Sequence, residues 1–87
     1  MATREYNLPY AEKTSVAEGP CWITIYGVHS DVAIGFNAVG DSTPPSKMVS
    51  PDFRNTNAEI NYGGSEQVWL ENRNLNARIS VAVVDVI

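Results

Sequence analysis

The chain has 87 residues, a length that supports one small domain with one core and no second lobe. Apolar residues make up 44% and charged residues 18%, too apolar for a disordered tail and too polar for a membrane-embedded chain. Ten acidic residues against six basic ones leave a net charge of −4, so the basic excess of a nucleic-acid or anionic-membrane binder is missing.

No uncharged apolar stretch approaches the ~20 residues of a bilayer span, and the start Met1-Ala2-Thr3-Arg4-Glu5 lacks the apolar run of a signal peptide. Cys21 is the single cysteine, so an internal disulfide is impossible. A free cysteine usually packs as a small hydrophobe. The expected compartment is therefore reducing, meaning cytoplasmic.

Helical periodicity is hard to find, whereas short alternating runs separated by Gly, Pro, Asn and Asp recur along the chain. Residues 1–10 contain Glu5-Tyr6-Asn7-Leu8 before Pro9 and read as an edge strand or as an arm reaching a neighbouring subunit. A short strand at 14–17 follows. The first strong strand is 20–28, with Cys21, Ile23 and Ile25 on one face and Trp22, Thr24, Tyr26 and Val28 on the other. The next, 32–38, puts Val32, Ile34, Phe36 and Ala38 on one face. A hairpin between them would pair Ile25 with Ile34 and Ile23 with Phe36, apolar against apolar.

Residues 39–56 hold Pro44, Pro45, Pro51 and Gly40, which argues for one long irregular loop pinned by Met48, Val49 and Phe53. Strands at 57–62 and 66–72 flank Gly63-Gly64-Ser65. A three-residue turn there pairs Ile60 with Val68 and Ala58 with Leu70. The last strand, 77–86, would pair Leu70 with Ile79 and set Glu71 opposite Arg78. Six or seven strands with this many apolar residues cannot rest on one flat sheet with a wet face. The expected fold is a single all-β domain over 1–87: a small antiparallel β-sandwich or barrel, jelly-roll-like.

Catalytic patterns are missing. Cys21 and His29 lie roughly 26 Å apart on one extended strand, beyond the reach of a dyad. One His and one Cys do not make a zinc site. Asp41, Ser42 and Asp52 in the long loop lack calcium-loop spacing. Glu59 and Glu71 fall on an outer face flanking Trp69, a flat wet surface without the burial or close like charge that a general acid requires. Neither a cofactor nor an enzymatic activity is expected.

The outer faces carry the signal. Trp22, Tyr26, Val28 and Trp69 point outward, and large aromatics there imply a covered surface. With Tyr6 and Leu8 of the N-terminal segment they are the candidate interface residues. The cover is the chain's own N-terminal arm, another subunit or protein partner, or a sugar stacking on the rings. The eight Asn residues would suit sugar hydroxyls, although Asn is also a common turn residue.

The stretch Ala2-Thr3-Arg4-Glu5-Tyr6-Asn7-Leu8-Pro9, the run Ser65-Glu66-Gln67-Val68-Trp69-Leu70 and the ending Ala77-Arg78-Ile79-Ser80-Val81-Ala82-Val83-Val84-Asp85 resemble small all-β structural proteins of tailed bacteriophages and prophages. These are head decoration (cement) proteins and minor head or tail components. The resemblance implies a non-enzymatic role, assembly in the cytoplasm of the host bacterium, and an oligomer on the virion that docks on a capsid or tail protein. The alternative is a small carbohydrate-binding module using Trp22, Tyr26 or Trp69 as its stacking platform.

Overall fold

The computed structural model describes residues 3–26, 32–49, 58–76 and 78–86. These contain seven strands and no helix: β1(Thr3–Leu8), β2(Lys13–Glu18), β3(Cys21–Tyr26), β4(Val32–Asn37), β5(Ala58–Tyr62), β6(Gln67–Asn72) and β7(Ile79–Asp85). They form two antiparallel sheets, the first in the order β1-β7-β3-β5 and the second in the order β2-β6-β4. The N-terminal segment is thus an edge strand of its own sheet, with Thr3 opposite Val84 and Leu8 opposite Ile79.

Odd-numbered strands lie in one sheet and even-numbered strands in the other, so every connection crosses the sandwich. This is the winding of a jelly roll, in a seven-stranded version. The strands agree with the alternation in the sequence, and so do their inward faces apart from Phe36 and Ala38, which are exposed. Cys21, Ile23, Ile25, Val32, Val68, Leu70 and Val83 are sealed in one core.

None of the three expected hairpins forms. Ile25 lies opposite Ala58 and Val81, and Ile23 opposite Ile60 and Val83. Leu70 lies opposite Thr14 and Ile34, and Ile79 opposite Leu8. The expected Glu71–Arg78 pair is also absent: Glu71 sits opposite Lys13 and Ala33, and its Oε1 accepts from Arg73 Nε at 3.0 Å. The reason is geometric. Alternation fixes which side chains face inward, not which strand lies alongside. Ile25 and Ile34 share the same interior from opposite sheets, where apolar matching is as favourable as it would be in a hairpin.

The two open sides of the sandwich are closed by different chemistry. Between edge strands β4 and β5, Phe36 stacks on Tyr62 with centroids 4.8 Å apart. Phe36 therefore sits at the rim, 37% exposed, rather than in the interior expected for it. Between β1 and β2, Arg4 reaches across from one sheet to the other. Its Nη1 and Nη2 donate to the two carboxylate oxygens of Asp85, Nη2 also to the Val16 carbonyl at 3.0 Å, and Nε to the Tyr6 hydroxyl at 3.2 Å. Val16 is free to offer that carbonyl because a β-bulge breaks the β2–β6 register between Ser15 and Ala17.

Candidate functional site: an open sheet face and an apolar end

The outer face of the β2-β6-β4 sheet is covered by the chain's own loop. Residues 41–49 cross it as a strap, hydrogen-bonded to β4 by a reciprocal pair between Ile34 and Val49 at 2.7 and 2.9 Å. The strap is held to β2 by Lys13 Nζ, which donates to the Pro45 carbonyl at 2.7 Å. Beneath it lie Ala33, Met48 and Trp69. Gly35, opposite Trp69, has no side chain, and Pro45 and Met48 occupy the space that a Cβ would need.

Asn37 Oδ1 accepts from the Trp69 indole at 2.8 Å and from Gln67 Nε2 at 2.9 Å, while Asn37 Nδ2 donates to the Thr43 carbonyl at 2.8 Å. Trp69 does point out of its sheet as expected, but it is only 7% exposed and forms no surface platform. The cover is the 41–49 segment, not the N-terminal arm. The sequence signal was Gly35 flanked by small Ala33 two residues earlier, which leaves a trough wide enough for a strap.

The outer face of the β1-β7-β3-β5 sheet carries no strap among the described residues. Its outward positions run in rows across the strands: Thr3, Val84, Trp22 and Asn61; then Glu5, Ala82, Thr24 and Glu59; then Asn7, Ser80 and Tyr26. Trp22 is 58% and Tyr26 47% exposed, as the alternation requires. The four-residue step between them spans about 13 Å along β3. Small side chains form the floor between the two rings.

A hollow of about 300 Å³ lies between β3 and β5, lined by Trp22, Thr24, Glu59 and Asn61. A second, of about 340 Å³, lies on the other side of β3, lined by Tyr26, Ser80, Ala82, Glu5 and Asn7. Each therefore combines a ring, a carboxylate and an amide.

At one end of the sandwich the β1–β2 turn meets the loop before β7. A groove of about 420 Å³ there has core residues Leu8 and Ile79 at its base, Tyr10 and Leu75 as walls, and Arg78 and Asn7 at its rim. Leu75 is 71% exposed, the most exposed large apolar side chain among the described residues. Sequence reasoning missed this end, because a lone Leu inside Asn74-Leu75-Asn76 reads as an ordinary turn residue.

The remaining expected site residues separate. Leu8 is buried in the core, because β1 pairs with β7 instead of extending as an arm, and reaches the surface only as part of the floor of the end groove. Tyr6 is half-buried and hydrogen-bonded to Arg4. Val28, His29, Asp52 and Phe53 lie outside the described residues. Cys21 is fully buried, and burial first, with the charge of Asp85 second, pushes its thiol pKa up. Glu59 and Glu71 lie in different sheets and do not form a pair. Among the described residues no three His, Cys, Asp or Glu side chains gather as metal ligands, and no helix is long and apolar enough to cross a membrane. The chain matches no protein family, no curated protein and no solved structure in the comparisons made with each.

Proposed function

We propose that the chain is a non-enzymatic structural protein of a tailed-bacteriophage particle, assembled in the bacterial cytoplasm, which associates with copies of itself and seats on a capsid or tail protein. The observation that carries the docking role is the apolar end, where Tyr10 and Leu75 stand in water beside a groove floored by Leu8 and Ile79. The same chain shields outward Trp69 with a strap of its own, whereas among the described residues no strap covers this end. An apolar side chain of a partner subunit fits between Tyr10 and Leu75, with Arg78 at the rim for a partner carboxylate. The virion setting is supported by the sequence resemblance, and the jelly-roll winding agrees with it because capsid domains use that winding.

The test is sedimentation velocity and native mass spectrometry at micromolar concentration, with pull-down of capsid and tail proteins encoded beside this chain. Association is expected, and Leu75→Glu, at an exposed site that the fold does not need, should weaken it at least tenfold. A strict monomer that captures no virion component would overturn the reading.

A further inference from the structure

We propose that the open face of the β1-β7-β3-β5 sheet binds a neutral oligosaccharide, with Trp22 and Tyr26 as stacking platforms. The surroundings of the rings, rather than the rings themselves, select this ligand. The centre of a protein–protein contact is depleted of Glu and Ser. Here Glu5, Glu59 and Ser80 stand in the same rows as the rings or in the rows beside them.

The polar groups are available. Glu5, Asn7, Glu59 and Asn61 have no hydrogen-bond or ion-pair partner among the described residues. Asn37 and Gln67, on the strapped face, are instead bonded to each other, to Trp69 and to the strap. Carboxylates accept strong charge-assisted bonds from hydroxyls, and a side-chain amide both donates and accepts, which suits neighbouring hydroxyls on a sugar ring. The C–H edges of a sugar face are weakly positive and stack on the negative face of an aromatic ring.

The outward strand positions of this sheet hold two carboxylates and no cation among the described residues. They therefore repel sulfated, phosphorylated or sialylated chains. The two hollows repeat the same trio of ring, carboxylate and amide on either side of β3. One extended oligosaccharide crossing β3 engages both, which a single sugar could not do across about 13 Å.

The experiment is an array of neutral gluco-, galacto- and manno-oligosaccharides with their sulfated and sialylated counterparts, followed by titration of each hit against tryptophan fluorescence. Trp69 is buried, so a change in emission reports on Trp22. At least one neutral oligosaccharide should bind, with longer chains favoured over monosaccharides. Trp22→Ala and Tyr26→Ala should each weaken it at least tenfold, while anionic counterparts bind worse. Leu75→Glu should leave sugar binding unchanged, which separates this site from association at the apolar end. Silence across the array overturns the proposal, as does binding that survives the double variant of Trp22 and Tyr26. So does a virion protein whose capture depends on Trp22 and is not displaced by any sugar.

Discussion

Asp85 carries an electrostatic load disproportionate to its place at the end of β7. Its hydrogen bonds from Arg4 hold its carboxyl below the usual carboxylate range of 3.8, and the same contact pushes the guanidinium further up. A depressed acid stabilises the fold at pH values above its unfolded pKa, and that contribution is lost as pH falls through the folded pKa. Acid unfolding of the native chain should therefore include a component below about pH 4, and Asp85→Asn should remove it. Both side chains are 36% exposed, so the loss at neutral pH is expected to be only about 1 kcal/mol, read from denaturant midpoints.

Gly35 carries a steric load instead. A Cβ there would come within 2.8 Å of Met48 Cγ and 2.9 Å of Pro45 Cγ, and the proline ring cannot bend away. Gly35→Ala should cost ~1–3 kcal/mol and shift Trp69 fluorescence to the red as the strap lifts. If midpoint and emission are unchanged, the strap does not seal Trp69.

At the level of elements, alternation in the sequence finds the strands and, Phe36 and Ala38 aside, their inward faces. Cys21, Ile23 and Ile25 read inward from spacing alone, and their strand ends within two residues of the span expected. Pairing was not legible. A residue such as Leu70 has apolar neighbours beside it, at Ile34, and across the interior, at Val83, and no local pattern distinguishes the two. The Gly63-Gly64-Ser65 segment looked like a hairpin turn, but it carries the chain from one sheet to the other. Of the site, the outward rings of β3 were readable from parity, whereas the strap over Trp69 and the exposed Leu75 depend on loop paths.

The strand order makes a prediction about protection. β3, β6 and β7 have a neighbour on both sides, while β1, β2, β4 and β5 are edges. Amide exchange should be slowest in the three central strands and approach the global unfolding limit there. Faster exchange in β7 than in β5 would contradict the order.

At the scale of the whole molecule, the described residues offer two kinds of accessible chemistry in different places. The polar-aromatic face and the apolar end meet near Asn7, which borders both the Tyr26 hollow and the end groove. A subunit seated by its Tyr10–Leu75 end would therefore leave the Trp22 face beside the contact rather than beneath it. The acidic balance of the chain suits this division, since nothing in it favours a phosphate-rich partner on either surface.

The antiparallel pairing of β1 with β7 brings Thr3 alongside Val84 at one corner, remote from Leu8 and Ile79. Tension applied through those two positions would peel the ladder open rung by rung, like a zipper, instead of loading all its rungs at once in shear. Pulled through that corner, the domain would yield at low force, and its mechanical resilience would have to come from whatever it is fastened to.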